Sequence, residues 1–276
     1  MKENSNSSPI HFSICTIVND NTEYNLMKAS FMECGFIEPE NEYIILDNTK
    51  ANIFDAYSAI QEVIKSAKGK YIIMLHQDVR CVDSKQKLID NITELNNKDS
   101  NWAIAGNAGV IRYHEPVLHL TQIKEIYTND YLPLKVQTLD ENFLVFNSSK
   151  NIEVTNTLRG FHLYGTDLCL HANTNGYNCY VISFMVKHLS KGNLKDLENY
   201  MPFYLKNTAY KNFSGYVETT CTKFYISKNK SAQQILNIPF FFFFIKSYWR
   251  LIYGFRKLSG KVKKSNKLKI STEHQS

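Results

Sequence analysis

Three short apolar runs, FSICTIV (Phe12 to Val18), YIIL (Tyr43 to Leu46) and YIIML (Tyr71 to Leu75), constrain the fold more than any other feature of the chain. Runs this continuous leave no polar face for water, so they suit strands covered on both sides. Between the second and third, Asn52 to Lys68 sets Ile53, Ala56, Tyr57, Ile60, Val63, Ile64 and Ala67 at helical spacing, and Gly69 stands where a C-terminal cap belongs. A strand, a helix and a strand in series close naturally as a parallel pair. A weaker helix follows Asp83 and Ser84, with Leu88, Ile92 and Leu95 on one face, and WAIAGNAGV (Trp102 to Val110) reads as another strand. The N-terminal half is therefore expected to be an α/β doubly wound, mostly parallel sheet flanked by helices.

The middle of the chain is less regular. Tyr113 to Gln137 shows no clean period and is expected to be a long, mobile connection. Leu139 to Phe146 is strand-like, Thr166 to Ala172 begins a short helix ended by Gly176, Tyr177 to Leu189 is a further strand, and Lys195 to Tyr210 is helical in pattern. With 276 residues, 43% of them hydrophobic, the chain can bury one substantial core. The expected organisation is a disordered segment 1–10, one α/β domain over 11–230, an amphipathic helix over 231–258 and a basic disordered tail over 259–276.

The formal charge of +6 sits mostly near the C-terminus, where Lys246, Arg250, Arg256, Lys257 and a lysine-rich tail meet only Glu273. A nearly neutral body argues against a nucleic-acid groove. Six cysteines lie singly among apolar residues, without zinc spacing, and read as thiols of a reducing compartment. MKENSNSSPIHFS has no apolar stretch of signal-peptide type, so cytoplasmic residence is the expectation.

In an open sheet of this kind ligands collect beyond the carboxyl ends of the strands. The polar residues to weigh are therefore Asn19 and Asp20, Asp47 and Asn48, His76 to Asp78, and His188. His76 and Asp78 are two apart, so they share one side of the strand while Gln77 faces the other. A carboxylate and an imidazole converging there could hold a divalent cation that neutralises a diphosphate; taken alone, such a triplet is more often a set of turn hydrogen bonds.

AKGKYIIMLHQDV resembles the segment of GT-A glycosyltransferases of the family 2 type in which a helix, a basic residue and Gly precede a strand ending in a DxD-like motif, here HQD. VQTLDENFLVF resembles that family's acceptor-side strand, which opens with an acidic pair. FHLYGTDLCLHANTNGYNCYVISFMVKHLSKG is similar to its stretch of aromatic turn, Asp, short helix, Gly, strand and H-x-S-x-G. These blocks stand in the right order over roughly residues 11 to 192. The chain departs from the pattern at Ser58, where relatives often have Asn, and in the first loop, VNDNTEY, which lacks the usual Pro.

The resemblance implies a GT-A-like (Rossmann-like) fold with a C-terminal helical extension. It also implies inverting, hexosyltransferase-like transfer from a nucleoside diphosphate sugar to an acceptor hydroxyl, in synthesis of a bacterial capsule or lipopolysaccharide. Asp78 then matches the metal-binding carboxylate, with Mn2+ or Mg2+ as cofactor, and His188 completes the metal site or serves as a structural histidine. His76 stands where relatives carry the first Asp and is expected to touch ribose or a metal-bound water. Asp167 matches the general base, although an Asp at a helix start is also an ordinary cap. Thr16, Asn19, Asp47, Asn48, Lys68 and Gln77 fall where the family binds base, ribose or phosphate. Asp140 and Glu141 are expected at the acceptor or the transferred sugar, although isolated acids on a strand edge could equally be solvated, and Phe161, His162 and Tyr164 lie in a turn suited to stacking on a sugar ring. A nucleotidyltransferase is the rival enzyme, but VNDNTEYNLMK offers no Gly-rich phosphate loop after the first strand; a catalytically inactive nucleotide-sugar-binding partner is the other alternative.

IPFFFFFIKSYWRLIYGFRK, Ile238 to Lys257, is apolar for only about ten residues before Lys246, too short to span a bilayer. Its aromatic and basic content suits a helix lying on an anionic inner membrane leaflet, where a glycan or lipid-linked acceptor would be found. Packing back onto the domain is the other reading.

Overall fold

The computed structural model describes residues 10–112, 116–190, 192–208, 210, 213–258 and 266–269. The first half runs β1 (Phe12–Val18), α1 (Asn21–Glu33), β2 (Asn41–Asp47), α2 (Ala56–Ser66), β3 (Tyr71–Leu75), β4 (Val79–Cys81), α3 (Lys85–Lys98), β5 (Trp102–Gly106) and β6 (Ala108–Val110). Short strands follow: β7 (Pro116–Leu118), β8 (Leu120–Gln122), β9 (Glu125–Thr128), β10 (Leu134–Val136), β11 (Thr138–Leu139) and β12 (Phe143–Asn147). The rest is α4 (Tyr164–Thr174), β13 (Asn178–Val181), β14 (Val186–His188), α5 (Leu194–Asn207), β15 (Gly215–Glu218), β16 (Lys223–Ile226), α6 (Lys230–Leu236), α7 (Pro239–Leu258) and β17 (Asn266–Lys269).

The central sheet has seven strands in the order β10-β13-β5-β12-β3-β1-β2. β1, β2 and β3 are mutually parallel, β13 is parallel to β5, and β12 and β10 run against their neighbours. The α/β class and the mostly parallel sheet are thus as expected. Every residue of β3 is buried, and alternation divides them between two cores. Ile72 and Met74 pack with α2 and α4 on one face, and Tyr71, Ile73 and Leu75 pack with α1 and α3 on the other. Burying each such side chain contributes roughly 1.5–3 kcal/mol, so both faces of β3 anchor the rim that carries the polar triplet.

Several boundaries differ from the sequence expectations. α2 starts at Ala56 rather than Asn52, because Asp55 accepts from the backbone N–H of Tyr57 and Ser58 while Ser58 Oγ accepts from Asp55 N, a reciprocal cap. Ile53, which seemed to extend the apolar period, is 69% exposed. The helix ends on Ala67, and Gly69 is not its cap: a Cβ there would lie 2.5 Å from Ser13 N, so the residue is small to let the turn pack against β1. The segment 113–137 contains β7 to β10 rather than an irregular connection. Strands of three or four residues are too short to show a period, and their pairing comes from partners distant in sequence, such as β8 on β14 and β10 on β13.

A five-stranded sheet, β17-β9-β8-β14-β4, stands beside the central one. Its edge strand, Asn266–Lys269, lies inside the tail expected to be disordered; antiparallel pairing with Glu125–Thr128 orders it. Segment 1–9 and the rest of the tail lie outside the described residues. Two helices, α6 and α7, occupy the span read as one amphipathic helix.

Candidate active site

The triplet after β3 converges with His188 through strand pairing. The backbone N–H of His76 donates to Asn142 O at 3.2 Å, holding the end of β3 to the neighbouring loop. The chain then turns, Val79 N donating to His76 O at 3.2 Å, and enters β4 directly. β4 pairs antiparallel with β14, His188 opposite Val79, and Leu189 N donates to Asp78 O at 3.2 Å. His188 Nε2 thereby reaches 3.5 Å from Asp78 Oδ1, and the His76 and His188 ring centres are 5.5 Å apart.

One ligand atom from each of His76, Asp78 and His188 falls within 4.8 Å of the others, a spacing that could hold a metal ion. Tyr164 Oη lies 2.9 Å from His76 Nε2 and itself donates to Glu141 O at 3.0 Å. A hydroxyl whose proton is committed to a carbonyl must accept from the ring, so His76 carries its proton on Nε2 and keeps the Nδ1 lone pair for a ligand. Burial, and secondarily His188, lowers the His76 pKa, favouring the neutral imidazole that a metal requires. Burial raises the Asp78 carboxyl, but hydrogen bonds from His188 and Ser190 and the nearby imidazoles outweigh it and hold the group well below the usual carboxylate range. The donor set of two imidazoles and one ionised carboxylate therefore fits a divalent cation, and His76 stands within that set.

Two cavities meet at this cluster. One, of about 500 Å³, lies beyond the carboxyl ends of β1 and β3 and is lined by Asn19, Asn48, Asn52, Gln77, Asp78 and Tyr164 among others. The second, of about 400 Å³, contains Asp140, Glu141, His162, His188, Leu118 and Leu197 in its wall. His76, Phe161 and Ser190 line both. Gln77, in the turn after β3, closes the first loop: its Oε1 accepts from Asn19 N and Asp20 N at 3.0 and 3.1 Å, and its amide donates to the Asn19 side chain. Asn48 shapes the other wall by accepting from Ile53 N and Phe54 N, both at 2.9 Å, and donating to Phe54 O at 2.7 Å.

The second cavity holds the acidic pair. Asp140 accepts from Asn142 and from Thr220 Oγ1, the latter at 2.8 Å. Glu141 points toward the first turn of α4, 3.4 Å from Gly165 N. Burial, with the Asp140 charge beside it, pushes the Glu141 carboxyl up to about 8. Phe161 is exposed at 47%, available for stacking, whereas Tyr164 is 3% exposed and orients His76 instead of presenting a platform to a sugar.

Four expected site residues lie elsewhere. Asp167 is fully buried and lines neither cavity. It accepts from Thr155 N at 2.7 Å, Thr155 Oγ1 at 2.8 Å and Tyr210 Oη, tying the segment before α4 to the segment after α5. A carboxylate so enclosed cannot meet an acceptor hydroxyl, and the expected general-base role is corrected to a structural clamp. Lys68 precedes β3, whose five residues separate it by roughly 16 Å from the cavity rim. Thr16 is buried within β1, and Asp47 is exposed, accepting from Thr49 N at 2.8 Å; neither lines a cavity. Thr219, Thr220 and Cys221, on the turn between β15 and β16, join the second cavity without a signal in their own sequence, because hairpin packing alone brings them there.

A mixed α/β protein with a candidate metal centre between two cavities at the carboxyl rim of its sheet is the class defined by this arrangement. No family model matches the chain. It is 32% identical over 197 residues, 68% of its own length and 79% of the other's, to a protein of Fuscovulum blasticum named ATP synthase subunits region ORF 6. The chain belongs to the family of that protein, whose name records a genomic location. Among solved structures, A197 from STIV aligns with TM-score 0.41 and 10% identity over 66% of this chain and 87% of that one. GalNAc-T7, solved with UDP, GalNAc and Mn2+, aligns with TM-score 0.47 and 7% identity over 67% of this chain and 44% of that one. Likenesses at this level carry no argument about activity.

Proposed function

We propose that the protein is a metal-dependent glycosyltransferase of GT-A type that moves a sugar, with inversion, from a nucleoside diphosphate sugar to an acceptor hydroxyl of a bacterial surface glycan. The observation that carries this reading is the His76, Asp78 and His188 cluster standing where the two cavities meet. The cavity beyond β1 and β3 takes the nucleotide, with the side-chain amides of Asn19, Asn48 and Gln77, whose oxygens already accept within the protein, offering N–H donors to base and ribose. The cavity beside Glu141 takes the acceptor, and its Pro116, Leu118, Leu120, Leu194 and Leu197 suit an acceptor with an apolar part, as a lipid-linked glycan has. A cation held by His76, Asp78 and His188 supplies positive charge to the departing diphosphate oxygens. Two imidazole ligands favour Mn2+ over Mg2+, which prefers an all-oxygen shell.

Glu141 replaces Asp167 as the base. A carboxyl raised to about 8 by burial is matched to neutral pH, and it faces the acceptor cavity within reach of Asp140 and His162. Glu141 accepts the acceptor proton; the freed oxygen forms its bond to the anomeric carbon as the bond from that carbon to the diphosphate breaks. Phe161 stacks on the sugar between the two cavities.

The test is release of nucleoside diphosphate from a panel of UDP- and GDP-sugars with Mn2+, comparing the natural chain with Asp78→Asn. Release that requires both Mn2+ and Asp78 supports transfer. No release across the panel, or release indifferent to metal, would overturn it.

A further inference from the structure

The C-terminal helix presents an apolar stripe that nothing among the described residues covers. Its first turns meet the domain through the Phe242 ring, 5.4 Å from Tyr216. At about 100° per residue, Phe240, Phe244, Tyr248, Leu251 and Phe255 form one stripe along α7. Their exposures are 65%, 56%, 63%, 62% and 71%, far above those of core side chains. Isolated exposed apolar residues need no explanation, but five aligned ones, four of them aromatic, mark an interaction face.

Charge decides among occupants. No acidic residue occurs between Glu218 and Glu273, while the same span carries twelve Lys and Arg, four of them within α7 and five between 261 and 269. A second copy of this segment would set one strongly positive chain against another, whereas an anionic bilayer attracts that charge while its headgroup region takes the aromatic stripe. No helix among the described residues is long and apolar enough to cross a membrane, so contact would be with the surface. The chain beyond α7 returns as β17 to pair with β9, itself paired with β8, whose Leu120 and Gln122 line the acceptor cavity.

We infer that α7 docks on an anionic lipid surface, its aromatic stripe in the headgroup region and the net positive charge of this part of the chain drawn to the lipid phosphates. Docking rests on α7 alone and is independent of the transfer reaction. Its test is co-sedimentation of the full chain with vesicles of phosphatidylcholine alone or with 30% phosphatidylglycerol, at low and high salt. Binding should require phosphatidylglycerol, fall at least tenfold in high salt, and fall similarly in Phe244→Ser/Leu251→Ser and in Lys246→Glu/Arg250→Glu, each with an unchanged melting temperature. Equal binding to both vesicles, no binding, or binding unaffected by either variant would overturn it. So would a dimer in sedimentation velocity that Phe244→Ser/Leu251→Ser dissociates, because the stripe would then belong to a second copy. Loss of nucleoside diphosphate release with vesicle binding intact would count against the transfer reading alone.

Discussion

Asp78 at the rim of β3 and Asp167 in the first turn of α4 are both carboxylates at the end of a regular element, and they differ in what surrounds them. Asp78 shares its space with two imidazoles and opens onto a cavity. Asp167 spends its acceptor capacity on Thr155 and Tyr210 and has no exposure at all. Position at a strand or helix end therefore nominates a residue, while access and unspent hydrogen-bonding capacity decide whether it can do chemistry. Glu141, only a few residues from β12, has access to the second cavity, although backbone N–H groups of Leu163, Tyr164 and Gly165 already bond its carboxyl.

The widest separation between the two regions should appear in turnover. Asp78→Asn is expected to reduce nucleoside diphosphate release by on the order of 10³-fold, since the leaving charge loses its cation. Glu141→Gln should cost roughly 10²- to 10⁴-fold. The base acts only as the carboxylate, so the natural chain's rate should rise with pH and level off above about 8, and the variant's profile should be flat across that range. A rise with the same midpoint in Glu141→Gln would assign the base elsewhere. Tyr164→Phe removes the acceptor that fixes the His76 proton on Nε2; Mn2+ affinity, read by metal titration, should drop roughly 10- to 100-fold. Asp167→Asn should leave release per folded molecule within a few-fold, yet lower stability in urea by about 1–3 kcal/mol through lost buried hydrogen bonds. Burial raises the Asp167 carboxyl, so the folded state keeps its proton to higher pH than the unfolded chain. The stability advantage of the natural chain over the variant should therefore shrink as pH climbs above 3.8, the group's ordinary value. A large turnover loss in folded Asp167→Asn would erase the contrast.

What could be read beforehand follows from physical range. The parallel β1, β2 and β3 and the helix between them are dictated by apolar runs and helical spacing, whereas His76 and Asp78 come together in the turn after β3, which ends at Leu75, and not by strand alternation. The pairing that brings His188 to Asp78 was suggested by motif order alone, since β4 and β14 have three residues each. Gly69 looked like a cap because both roles call for a residue without a side chain. Asp167 could not be told from a base because its partners, Thr155 and Tyr210, are 12 and 43 residues away. Thr219 to Cys221 reach the second cavity through the β15–β16 hairpin, an arrangement with no local mark.

Thermal stabilisation by UDP and GDP, each with and without Mn2+, tests the central claim most directly when run on the natural chain, Asp78→Asn and Asp167→Asn. The account predicts a rise in melting temperature for one nucleotide that needs Mn2+, vanishes in Asp78→Asn and persists in Asp167→Asn. Stabilisation that ignores Mn2+, or that survives the loss of Asp78, would contradict it.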